Sequence, residues 1–179
     1  MRSCLILDIA AGGDVSAALA CGADAVLLRR AGEAAHATRA FIADVRRQSK
    51  GLKVFVEIAP IESESVEGEL DSVVGFAPDG VFLSACADRT SLSQLAAKLA
   101  VREAEAGLTH GATKIAAFVG ADPAAVLALP SFADATKRLA AIAFDEAPLR
   151  AGLGLAEPDA APIATARGLV VLAAAAAGV

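Results

Sequence analysis

Tryptophan and tyrosine are absent from this chain, and seven phenylalanines are its whole aromatic complement, so base stacking and aromatic cages have little to be built from. Histidine is nearly absent too. His36 falls in an expected helix and His110 in an expected loop, and neither has a metal-ligand partner four residues on or a nucleophile signature nearby. Cys4, Cys21 and Cys86 are an odd number without paired spacing, which indicates neither a disulfide framework nor a zinc site. We read them as buried free thiols. Basic charge is also short: 16 Lys and Arg against 21 Asp and Glu leave a net charge of −5, and the cations are scattered, which argues against nucleic acid as a partner. The most apolar run, Gly168 to Val179, is about half of the roughly 20 residues needed to cross a bilayer, and Met1-Arg2 leads straight into a strand rather than a signal peptide. No membrane association and a cytoplasmic location are the expectations.

What is present is a repeat of short apolar runs and amphipathic stretches, with no linker or low-complexity tail, so residues 1–179 read as one domain. Ala25 to Leu28 sets the pattern. It is unbroken and apolar, as in a parallel strand covered on both faces, and it stops at the charged Arg29-Arg30; Gly22 before it supplies the left-handed turn that closes the preceding helix. Similar strands are expected at Ser3 to Ile9, Lys53 to Ile58, Val81 to Ser84, Ile115 to Val119 and Leu139 to Phe144. Between them fall a helix capped by Asp14, a long one from about Gly32 to Ser49, a short acidic one over Ser63 to Leu70, and one capped by Ser91 with Leu92, Leu95 and Leu99 at helical spacing. Asp122-Pro123 starts another, and an Ala-rich helix ends at Gly178. Arg46, Arg47 and Lys50 suit the carboxyl end of the long helix as dipole-compensating charge. Six strand–helix units imply an α/β parallel sheet, either doubly wound or curled into a barrel wall, two strands short of a closed eight-stranded barrel.

Several stretches carry a resemblance to a known family. Arg2-Ser3-Cys4-Leu5, Gly22 to Leu28, Pro78-Asp79-Gly80-Val81-Phe82-Leu83, Glu103 to Leu108 and Ala173 to Val179 resemble, in order and spacing, the HpcH/HpaI aldolase and citrate lyase β-subunit family. The resemblance implies an incomplete TIM-like (β/α) barrel of about six parallel units. It also implies carbon–carbon bond cleavage beside a carboxylate, with a divalent metal such as magnesium, on a keto-acid or a CoA thioester.

The family's polar set is mostly replaced here. Its acidic motif after the second strand falls on Arg29-Arg30-Ala31-Gly32 and its substrate-binding arginine on Glu57, a reversal of charge at both places. Its metal-binding Glu and Asp fall on Gly120 and Pro148, which offer no side-chain oxygen. Arg2 alone matches, as a substrate-side arginine. We therefore expect a catalytically degenerate relative, a pseudoenzyme without a cofactor, that acts by binding or assembly. The competing expectation is an active lyase with a site rebuilt around Arg2, Asp145 and Glu146, the two acids holding the metal. Strand ends place Asp8, Arg29, Glu57, Ser84, Cys86, Asp122 and Asp145 at one rim, with Arg2, Arg29 and Glu57 the candidate substrate-binding residues and Arg29–Glu57 a charge-swapped pair. Cys86 is expected to be inert, and uncovered sheet edges to drive a homo-oligomer, most simply a dimer.

Overall fold

In the computed structural model, residues 3–12, 14–29, 31–32, 34–49, 51–155 and 161–179 are described. Six strands, β1 (Cys4–Asp8), β2 (Ala25–Arg29), β3 (Lys53–Ile58), β4 (Gly80–Leu83), β5 (Lys114–Val119) and β6 (Leu139–Phe144), form one sheet in the order of the chain. All five pairings are parallel. A doubly wound sheet reverses its strand order part-way, so this monotonic order decides for the barrel wall, and the sheet is a curled half-barrel. Each strand is followed by helix: α1 (Val15–Ala20), α2 (Ala35–Gln48), α3 (Val66–Val73), α4 (Arg89–Glu105), α5 (Pro123–Leu127), α6 (Glu146–Gly152) and α7 (Ala161–Ala176).

The alternation of side chains along each strand divides the core in two. Val26, Leu28, Val54, Val56, Val81, Leu83 and Ile115 face the helices and pack with Phe41, Val45, Leu70, Leu92, Leu95 and Leu99 in one continuous cluster. The opposite, concave face carries a smaller cluster of Ala25, Leu27, Phe55, Phe82 and Ala116, to which no helix contributes a buried residue. It is closed by aromatics. Phe55 and Phe82 meet edge to face at 5.6 Å, Phe82 and Phe118 lie 4.7 Å apart, and Phe55 and Phe82 are only 5% and 3% exposed although no barrel closes over them. Each such pair adds roughly 0.5–1.5 kcal/mol beyond the area it buries.

The expected strands and helices are found, the acidic helix beginning and ending three residues later than Ser63 to Leu70, with two further differences. The cap of α4 is Asp88, whose carboxylate accepts from the Ser91 amide at 2.9 Å and from the Ser91 hydroxyl at 3.3 Å, so Ser91 is the third residue of the helix and is buried. Helix α6 was not expected, because Pro148 and two following glycines read as loop. Pro148 lies in its first turn, where its missing N–H costs nothing.

Behind the amino-terminal end of the sheet, Arg138 and Glu103 form a two-pronged buried pair, both bonds at 2.7 Å. The carboxylate also accepts from the Gly111 and Thr113 amides at 2.8 Å each, and Arg138 donates to the Thr113 carbonyl at 3.1 Å. This ties α4 to the strands β5 and β6. No helix among the described residues is long and apolar enough to cross a membrane.

Candidate functional site

The carboxyl ends of parallel strands are where barrel and open-sheet enzymes place their chemistry, so this rim is described first. Arg29, last residue of β2, donates from Nε and Nη2 to the two oxygens of Glu57 on β3, at 2.7 and 3.2 Å. The Ser84 hydroxyl donates to Glu57 Oε1 at 3.0 Å. Glu57 thus accepts a fork from one neighbour and a hydroxyl from the other. The hydrogen bond that Arg29 donates to Glu57, opposed by some burial and assisted by the charges of Glu57, Asp145 and Asp8, holds the Arg29 guanidinium above its ordinary pKa.

Other rim acids are also engaged. Asp8 Oδ1 accepts from the Ala10 and Ala11 amides at 3.0 and 3.2 Å, which folds the turn after β1. Asp122 caps α5 through the Ala124 amide at 2.8 Å. Asp145 sits at the amino end of α6 and makes no capping bond there. Glu146, next in the chain, has one carboxylate oxygen against Arg167 of α7 and the other 3.6 Å from Arg150. A cavity of about 320 Å³ opens at the rim between Ala31, Gly32, Glu57, Glu69 and Ser84. Glu69 reaches into it already bound, accepting from the Ala59 amide at 2.8 Å and the Ser65 hydroxyl at 2.7 Å.

Arg29, Glu57 and Ser84 are brought together, and Asp8 and Asp145 lie within electrostatic reach of Arg29. Cys86 is not at the rim. The chain leaves β4 through Ala85 in a left-handed conformation (φ 48°), which breaks the strand's alternation and turns Cys86 into the helix-side core, 1% exposed. Burial, with Asp88 nearby, pushes its thiol up to about 12. Burial was expected of all three thiols, but Cys4 on the edge strand is half-buried and Cys21, at the carboxyl end of α1, is exposed. Arg2 lies outside the described residues.

The divalent metal implied by the resemblance does not fit these residues. Gly120, at the position of the family's metal-binding Glu, has φ 117°, and a Cβ built there would collide with the Asp145 carbonyl oxygen and stand 3.2 Å from the Phe144 ring. The β5 and β6 ends are drawn together at this point by the Asp145 amide donating to the Val119 carbonyl at 2.8 Å. Among the described residues no group of three His, Cys, Asp or Glu side chains could hold a metal ion. A hard cation takes six or more oxygens, and Glu146 already faces two guanidiniums.

The missed feature is at the other mouth. A cavity of about 560 Å³ lies at the amino ends of the strands between Asp24, Lys53, Phe55, Asp79 and Lys114. Lys53 and Lys114, which break otherwise apolar strands at matching first positions, were the available signal.

No protein-family model and no curated protein matches the sequence. Solved structures do match the fold. An HpcH/HpaI aldolase from Desulfitobacterium hafniense DCB-2 is 14% identical with a TM-score of 0.76, the match covering 98% of this chain and 74% of that one. A citrate lyase from Burkholderia xenovorans LB400 gives 12% and 0.81, covering 99% and 62%. The magnesium and glyoxylate complex of Haloferax volcanii malate synthase gives 15% and 0.82, covering 99% and 61%. The chain thus spans about three fifths of the length of the latter two and about three quarters of the aldolase. Identity this low speaks for architecture alone, and the architecture is that of the aldolase, citrate lyase and malate synthase structures, as the sequence resemblance implied.

Proposed function

We propose that this protein is a catalytically degenerate relative of the carbon–carbon lyases whose fold it has, acting by binding or assembly. The observation that carries the reading is Gly120. A lost ligand is reversible on paper, but here the backbone has closed over the place a glutamate would need: φ is 117° and the Asp145 carbonyl occupies the space of a Cβ. Around it Glu57 is committed to Arg29 and Ser84, and Glu146 faces Arg150 and Arg167, so the rim's charges are spent on one another. Enolate chemistry needs unspent positive charge aimed at the developing oxyanion.

Thermal unfolding with magnesium or manganese, with and without pyruvate or acetyl-CoA, tests this. The expected result is no shift. A ligand at a hundred times its dissociation constant adds about 2.7 kcal/mol, so a metal-dependent rise of that size would favour an active site rebuilt around Arg2, Asp145 and Glu146. Assembly is the other half of the reading. The edge strands β1 and β6 carry Leu5, Leu7, Ile142 and Phe144 half-buried, Ile6 is 50% exposed on the concave side, and a homodimer would cover them.

A further inference from the structure

We infer that the amino-terminal mouth of the half-barrel binds a small organic anion with a flat apolar body. The site is at the opposite end of the strands from the rim, and the inference stands whether or not that rim is inert.

The register aligns Phe55, Gly80 and Lys114 across β3, β4 and β5. Gly80 is the key to the shape. A Cβ there would strike the Phe55 ring and stand 2.7 Å from the Lys114 carbonyl oxygen, so only glycine lets that ring lie down on the sheet beside Lys114. The space left is the cavity of about 560 Å³, walled by Phe55, Gly51, Ala112 and Ala140. A volume in the range of 300 to about 1,000 Å³ with apolar walls and few polar groups is what small-ligand sites have in common.

Charge decides the sign of the ligand. Asp79 is saturated: it accepts from the Val54 amide at 2.9 Å and from Lys53 at 3.2 Å, and Arg46 stands 3.6 Å away. Asp24 is engaged by the Ser3 amide at 3.1 Å and by further contacts. Lys114 alone of the charged lining has no side-chain partner among the described residues. An anion would therefore meet an unspent ammonium on Lys114, while a cation would find both carboxylates taken. The phenyl ring and alanine walls favour a planar apolar body over a bare inorganic ion, so an aromatic carboxylate is the class that fits.

Titration of the full chain with benzoate, followed by amide NMR shifts, is the test, with benzyl alcohol, acetate and inorganic phosphate as comparison arms. The expected result is saturable shifts at Gly51, Gly80, Ala112 and Ala140 with benzoate, weaker ones with acetate and phosphate, and none with benzyl alcohol. Lys114→Gln should weaken benzoate about tenfold or more, as loss of a charge-assisted hydrogen bond does, and Lys114→Arg should retain it. Lys114 is exposed, so both variants are expected to unfold as the parent does. No saturable shift at this mouth, an unchanged affinity in Lys114→Gln, or equal effects of phosphate and benzoate would each overturn the proposal.

Discussion

At the level of single residues, the molecule places a buried two-pronged ion pair at the end of the sheet opposite the rim. Glu103 is fully buried against Arg138, and although burial opposes its charge, Arg138 and the Thr113 and Gly111 amides hold its carboxyl down at about 2. An unfolded glutamate titrates near 4.5, so this depressed group contributes stability that is complete above that pH and is lost as pH falls toward 2. The loss should be on the order of 3 kcal/mol, read from urea denaturation as a function of pH, and Glu103→Gln should remove that part of the pH dependence. Removing one partner of such a pair leaves the other buried and unpaired, so Arg138→Met is expected to destabilise by about 3–5 kcal/mol in the same measurement. The Arg29–Glu57 pair is different: with side chains 45% and 17% exposed, its breakage by Arg29→Ala should cost no more than about 1 kcal/mol. Cys86 should react with iodoacetamide far more slowly than a free cysteine at neutral pH, because its thiol is buried and pushed up to about 12; labelling as fast as a free thiol would contradict its placement.

At the level of elements, the strands were legible because a strand covered on both faces must be apolar throughout, and Ala25 to Leu28 or Ile115 to Val119 permit no other covering. The Arg29–Glu57 pair was legible from the same reasoning, since adjacent parallel strands bring their last residues side by side. Other features were not. Helix α6 is seven residues with a proline in its first turn and Gly152 as its last residue, too short for a periodic signal to stand out. Cys86 could not be placed by counting, because the left-handed Ala85 resets the alternation. Glu103 and Arg138 are 35 positions apart, beyond anything local spacing reports. Gly120 shows the limit most sharply. Its composition was read as a missing ligand, whereas its φ of 117° and the Asp145 carbonyl show a backbone that excludes one. Gly120→Glu is therefore expected to lower the melting temperature and to gain no stabilisation from magnesium; a metal-dependent rise in that variant would mean the β5 and β6 ends can part.

For the molecule as a whole, the half-barrel has protected its concave face and left its edges. Three phenylalanines fill the concave face, whereas β1 and β6 each have a strand neighbour on one side only among the described residues. Sedimentation equilibrium at micromolar concentration should give a dimer, because a two-fold contact is the commonest way for one chain to cover its own exposed surface. A well-behaved monomer would show that half-buried edges suffice here. The agreement of strand order with chain order bears on synthesis as well as on shape. Each described strand after β1 pairs with the one made just before it, so from β2 onward a partner is already in place, and each loop closed is only one unit long. Growth from the ribosome, which proceeds amino end first, can lay down the sheet strand by strand on an edge that already exists. An open edge of a growing sheet is in this way the template on which the next strand is laid.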